Sequence, residues 1–193
     1  DAYTVTGSKY VKVLVHADDR FEEAHEAGGT YRIEAIEAGK DVNVTAAGRV
    51  ERRDESGKVT GEATKTTVEI AGAVISTKED AVYNLKTFNN SDIVFVQYYD
   101  VRLPFIGSGD AVINIDADRI TSKNGFNAEA APAFAEIRGK DISITSGNGV
   151  GDKDNYISVD CDKDGKLDLE NKAGDVYITA MRPAEGETGS LTI

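Results

Sequence analysis

Along this chain, pairs of aliphatic residues recur with one polar residue between them, and four pairs sit in a longer shared phrase. The phrase is a glycine, one or two polar residues, the aliphatic pair, then Thr or Asp. It reads Gly39-Lys-Asp-Val-Asn-Val-Thr-Ala, Gly109-Asp-Ala-Val-Ile-Asn-Ile-Asp-Ala, Gly139-Lys-Asp-Ile-Ser-Ile-Thr-Ser and Gly174-Asp-Val-Tyr-Ile-Thr-Ala. Side chains alternate faces along a strand, so Val42 and Val44, Ile142 and Ile144, and Val176 and Ile178 are predicted to point inward. Asn43, Ser143 and Tyr177 then point out. A turn residue followed by a short alternating strand, repeated at irregular intervals, predicts a chain wound into coils.

Other β-rich runs lie between these phrases: Tyr10 to Val15, Thr67 to Ile70, Ala73 to Ser76, Val82 to Lys86, Ile93 to Tyr98, Tyr156 to Asp160 and Lys166 to Leu169. Val, Ile, Tyr and Thr dominate them, and the 19 glycines, with Asn and Asp, punctuate them, which favours an all-β chain. Gly109 and Gly139 are 30 residues apart, with strand candidates near Ile113, Arg119 and Phe134. Gly139 and Gly174 are 35 apart, with candidates near Ile142, Tyr156 and Lys166. Three strands and three turns per lap predict a triangular parallel coil with a rise of ~4.8 Å. Between Val42 and Ala111 the strands divide in two registers.

Two segments break the pattern. Asp18 to Ala27 has an acidic start, apolar Phe21, Ala24 and Ala27, and a Gly28-Gly29 stop, which predicts a short helix or a loop excursion. Ser122 to Ala133, rich in Ala, Asn and Gly with Pro132, is the second excursion. Excursions from one corner of a solenoid are where a binding surface would be built.

Length and charge narrow the possibilities. With 193 residues and 40% hydrophobic content, one elongated domain over 1–193 is the simplest organisation. The 22 basic and 34 acidic residues give a net charge of −12, which argues against nucleic acid and anionic membrane as partners. No stretch reaches the roughly 20 apolar residues of a membrane span, so no membrane insertion is expected. Asp1 opens without a basic or apolar leader, so any export signal is expected outside the segment. The single Cys161 can form no internal disulfide. Gly189-Ser-Leu-Thr-Ile193 reads as a coil interrupted in mid-strand, so the chain is expected to be an excerpt from a longer repeat protein.

The run from Asp141 through Ile142-Ser-Ile-Thr-Ser-Gly-Asn-Gly to Asp160, with Gly165-Lys-Leu-Asp-Leu-Glu and Gly174-Asp-Val-Tyr-Ile-Thr-Ala, resembles the shaft repeats of large filamentous-haemagglutinin-like exoproteins. It is similar in particular to the leukotoxin-type filamentous adhesins of Gram-negative anaerobes. The likeness is clear over about residues 139 to 180, weaker around Gly39 and Gly109, and absent from the two excursions. It implies a right-handed parallel β-helix, secretion to the bacterial cell surface, and adhesion to host-cell or bacterial receptors, whether glycan or protein. It also implies an outer-membrane transporter that engages regions outside this segment, because the Asn-Pro-rich secretion signatures do not occur here.

The sharpest chemical motif is Asp160-Cys-Asp-Lys-Asp-Gly-Lys-Leu-Asp168. Asp160, Asp162 and Asp164 reproduce the alternating acids of a calcium loop, Gly165 permits its sharp turn, and Asp168 falls at its ninth position. Asn171 replaces the bidentate Glu at position twelve, so calcium would bind weakly and no cofactor is required. In the competing reading Asp160 and Asp162 are outward residues of a strand whose Ile157, Val159 and Cys161 face in, with a turn at Asp164-Gly165. Cys161 is then a packing residue. His16 and His25, with Asp18, Asp19, Glu22 and Glu23, lack metalloprotease spacing and read as solvated groups. Asn43-Val-Thr45 and Asn89-Asn-Ser91 match glycosylation sequons.

Parallel β-helices also host lyases and glycosidases, which need paired carboxylates and stacking aromatics in a groove. Trp is absent and aromatics are 7%, so a carbohydrate-active enzyme is the disfavoured alternative. The expected function is an adhesin passenger segment that projects, and presents a binding surface. A calcium-stiffened spacer without a ligand is the other competitor.

Overall fold

The computed structural model describes residues 3–6, 12–17, 29–39, 41–96, 106–123 and 135–180. Among them there is no helix, and sixteen strands follow in order. The first eight are β1 (Tyr3–Thr6), β2 (Lys12–Ala17), β3 (Gly29–Ala38), β4 (Val42–Ala47), β5 (Arg52–Arg53), β6 (Val59–Gly61), β7 (Thr66–Ile70) and β8 (Val74–Ser76). The others are β9 (Val82–Phe88), β10 (Asp92–Val96), β11 (Ile106–Gly107), β12 (Val112–Ala117), β13 (Ile120–Lys123), β14 (Ile137–Ser146), β15 (Ile157–Asn171) and β16 (Ile178–Ala180). β5 and β6 form a pair of their own, and the other fourteen strands belong to one sheet.

Within that sheet the parallel pairings fall into three runs. In the first, the N-terminal half of β3 is followed by β7, β10 and β13, with Tyr31 opposite Val68 and Ile93 opposite Ile120. Single bridges extend it from Ile120 to Val150 and on to Val176. The second run stacks Ile36, Val74, Ile106, Ile137, Val159 and Ala180. The third stacks Val44, Leu85, Ile115, Ile144 and Leu169. The chain visits the runs in the same order each time, and β3, β14 and β15 each bend from one run into the next.

Inward side chains from all three runs meet in a single buried cluster that includes Ile33, Ile70, Phe95, Ile106, Ile113, Ile137, Ile142 and Leu167. Full burial of each such side chain contributes roughly 1.5–3 kcal/mol, so the refilled aliphatic positions are the main force joining one repeat to the next. The expected inward Val42, Val44, Ile142 and Ile144 are all buried.

The fourth phrase departs from expectation. Val176 is 39% exposed, and Ile178 is only partly buried against the core. Gly39, Gly109 and Gly139 lead into the third run, whereas Val176 falls on the first and Ile178 on the second. The 35-residue interval is consequently more than one lap. Ser146 meets Asn171, 25 residues on, and Val150 crosses the first run unannounced by any strand signal. The segments beginning at Tyr156 and Lys166 are one continuous strand, β15, not two.

At the start of the sheet the pairing reverses. β1 runs antiparallel to β4, and β2 runs antiparallel to β3 along both of its halves. Together they occupy the outer edge of the first repeat in all three runs, so the edge of the sheet there is made of reversed strands. The expected excursion at 18–27, nearly all of the one at 122–133, the strand candidate at Phe134 and the chain's last residues lie outside the described residues.

Candidate functional site: outward rows, a projecting hairpin and an aspartate-rich corner

Outward positions of the third run form a polar row. Asn43, Asn84 and Asn114 are stacked in register, followed by Ser143 and Asp168. Asn84 Nδ2 donates to Asn43 Oδ1 at 2.7 Å, and Asn114 Nδ2 donates to Asn84 Oδ1 at 2.9 Å. The adjacent outward row carries Lys86 against Asp116 at 2.6 Å. The signal was present in the sequence as Tyr83-Asn-Leu85 and Leu167-Asp-Leu169, two more apolar pairs around a polar residue, the first without a leading glycine and the second behind Gly165.

The four aspartates of the calcium-like motif lie on a bent strand. Gly139 pairs with Cys161 and Asp141 with Lys166, so Asp162 to Gly165 stand together opposite Lys140. Asp160 lies on the second run, where its carboxylate meets Arg138 Nε at 3.3 Å. Asp162 Oδ1 accepts the Asp164 N–H at 3.0 Å and so shapes the bend. Asp168 lies beyond the bend, on the third run, paired with Lys166 Nζ at 2.5 Å. Two of the four carboxylates therefore face cations. Among the described residues no group of three or more His, Cys, Asp or Glu side chains is placed to share a metal ion.

Cys161 packs as a partly buried apolar side chain, and its Sγ donates to Lys140 O at 3.2 Å. Burial, then the charges of Asp141, Asp162 and Asp160, push its thiol above the usual range, which keeps it a poor nucleophile near neutral pH. His16 lies in β2 opposite Arg32, while His25 and its acidic neighbours lie outside the described residues. In the sequon at Asn89, Nδ2 donates to Gly48 O at 2.8 Å from a residue at φ 55°. The Ser91 hydroxyl is buried and accepts the Thr66 N–H at 3.1 Å, so this sequon serves a corner of the fold.

Two further features were missed. Glu136 is fully buried and holds three elements together. Its Oε1 accepts from Ser122 Oγ, its Oε2 accepts the Ser158 N–H at 2.8 Å, and its own N–H donates to Ser158 Oγ at 2.9 Å. Burial of a carboxylate is tolerated only when its oxygens are satisfied in this way.

The second is the hairpin β5–β6. Later repeats cross from the third run to the first within residues 89–91, 118–119 and 147–149, but the first repeat departs over 48–65. The Arg49 N–H donates to Thr64 O at 2.8 Å and Thr64 N–H returns to Arg49 O at 3.0 Å, closing the hairpin's base. At its tip Asp54 Oδ1 accepts the N–H groups of Ser56 and Lys58 at 2.9 and 3.1 Å. Gly57 takes φ 83°, which a side-chain-bearing residue disfavours. An Asp, then Ser56-Gly57 between polar and β-branched residues, is a hairpin signal distinct from the coil phrase.

Comparison with family models, with curated protein sequences and with solved structures finds no match for this chain.

Proposed function

We propose that the chain winds as a right-handed parallel β-helix with three strands per coil and serves as a projecting segment of a secreted, cell-surface adhesin. Its work is mechanical and adhesive: stacked laps make a stiff rod, and the rod holds a binding surface away from the cell toward glycan or protein receptors on host cells or other bacteria. One observation carries this reading. Each of three runs receives one strand from every successive pass of the chain, always in the same order, as a wound chain requires. The outward polar rows and ion pairs suit a solvent-facing shaft, and the repeat phrases over 139–180 supply the resemblance to filamentous adhesins.

Beads coated with this chain, flowed over epithelial cells and over bacterial lawns with calcium and then with chelator, test the reading. Retention above that of beads carrying an unrelated acidic protein supports a receptor-carrying segment. Absence of retention in both conditions removes the adhesive role and leaves a spacer.

A further inference from the structure

The β5–β6 hairpin takes no part in the core: residues 50 to 60 are all exposed, and a methyl added at Gly57 would meet nothing within 4 Å. Over residues 49–64 four cations (Arg49, Arg52, Arg53, Lys58) balance four acids (Glu51, Asp54, Glu55, Glu62), so the hairpin has no net charge with which to draw a partner. What sets it apart is a dipeptide. Arg52 and Arg53 are the only two adjacent basic residues in the chain, and both are exposed.

The bond between them is the weak point of the ribbon. Arg52 pairs with Gly61 and Arg53 with Val59, so the ladder slips at this bond and leaves Thr60 without an opposite residue. Arg53 is held, its Nε donating to Glu51 at 2.7 Å and its Nη1 to Gly57 O at 2.9 Å. Arg52 makes no ion pair among the described residues. On the coils, by contrast, cations such as Lys65, Lys86 and Arg138 lie against Asp92, Asp116 and Asp160 at 2.8, 2.6 and 3.3 Å.

Both flanks of the hairpin are tied to the fold without its help. β4 pairs with β1 and β9, and β7 pairs with β3 and β10. At the corner itself the Gly48 N–H donates to Phe88 O at 3.2 Å, Thr66 Oγ1 donates to Ala47 O at 3.0 Å, and the Thr66 N–H donates to Ser91 Oγ at 3.1 Å. Opening the ribbon therefore breaks only its own few rungs and turn bonds, which costs far less than unfolding the coils.

We infer that the Arg52–Arg53 peptide bond is a processing site for an endoprotease whose specificity pocket takes an arginine side chain, and that the nicked chain keeps its coils. Exposed, locally opening segments are where folded chains are cut, and an acidic pocket receives the Arg52 guanidinium. The step is hydrolysis. One water adds across the C–N bond, leaving a carboxylate on Arg52 and an ammonium group on Arg53. Two chain ends then replace a closed hairpin on a shaft that stays whole, and none of this depends on the adhesive reading above.

Trypsin at limiting concentration, added to the intact chain under native conditions, tests the inference. Mass spectrometry locates the cuts, and size-exclusion chromatography reports whether the pieces part. The first cut within the described residues is expected between Arg52 and Arg53, with both pieces co-eluting and the far-UV circular dichroism unchanged. In ~1 M urea, with trypsin activity normalised on a short peptide, the rate should change by no more than about twofold, because local opening exposes little surface. A cut that waits for global unfolding would quicken by about tenfold or more. Arg52→Gln is expected to abolish the cut. A first cut elsewhere among the described residues overturns the inference, as do pieces that separate, a tenfold rise in urea, or a hairpin cut that survives Arg52→Gln at the wild-type rate.

Discussion

Replacing Gly165 with alanine should damage the fold far more than the same change at Gly57, and the geometry gives the margin. A methyl at Gly165 would stand 1.7 Å from the carbonyl oxygen of Lys140 and 2.6 Å from its carbonyl carbon. Close carbon–oxygen contacts settle near 3.3 Å, so the strands must part by about 1.5 Å. That is roughly a third of the normal strand spacing, enough to carry flanking N–H···O bonds past the distance at which they hold. Losing two or three of them at about 1 kcal/mol each, with looser packing of Leu167, gives a destabilisation of about 3 kcal/mol. At Gly57 an added methyl meets nothing within 4 Å, and only the φ of 83° is strained. Strain of about 1–2 kcal/mol, partly offset by lost freedom in the unfolded chain, leaves about 1 kcal/mol. Urea unfolding followed by circular dichroism reads the ordering. Hydrogen exchange reads the location, because repeats that touch only their neighbours should lose protection over 135–180 and keep it over 42–96. Equal midpoints for the two variants, or protection lost evenly along the chain, would refute the reasoning.

Glu136→Ala should cost about 3 kcal/mol in urea unfolding, because it strands the Ser122 hydroxyl and the Ser158 N–H in the interior, while Glu136→Gln should retain at least half of that. Asn84→Ala removes both bonds of the asparagine row and should cost about 1–2 kcal/mol by the same assay, whereas Asn84→Ser, matching Ser143 two repeats on, should cost less. Burial holds the Asp92 carboxyl above its usual range, with Lys65 at 2.8 Å opposing the shift. A group raised in the folded state favours folding fully below its unfolded value and ceases to as pH climbs through its folded value. The stability of Asp92→Asn relative to wild type should therefore rise from about pH 4 toward neutrality, and thermal melts in which it falls instead would reverse the assignment.

The local level of this fold was legible because burial enforces it. Val42 and Val44 or Ile142 and Ile144 can only alternate if one face meets a core, and no slip of one residue is tolerated. Which run a strand joins was not legible, because that depends on partners 20 to 40 positions away. The Gly174 phrase shows this: it looks like Gly139 in sequence, yet it delivers Val176 to a different run. Alternation is also blind to strand direction, so nothing in Tyr3–Thr6 or Lys12–Ala17 announced antiparallel pairing. The aspartate motif shows the same limit. A strand with acids at alternate outward positions produces Asp160-x-Asp162, and the bend after it supplies the Gly, so the spacing alone does not tell a calcium loop from a bent strand.

The reversed strands at the first repeat bear on how the molecule gets built. Parallel laps join positions as far apart as Asn43 and Asn84, 41 residues, and no ladder bond rewards such a closure until it is complete. β2 and β3 meet across the much shorter connection between Ala17 and Tyr31, so their ribbon is the least demanding element to nucleate. Once formed, it holds one side of β3, and the next lap, β7 and β8, condenses on the other side. Refolding should accordingly run as a one-way zipper, with exchange protection arriving first over 29–47 and last over 157–171, and with a chain lacking residues 1–17 slowed at its first step and not at its last.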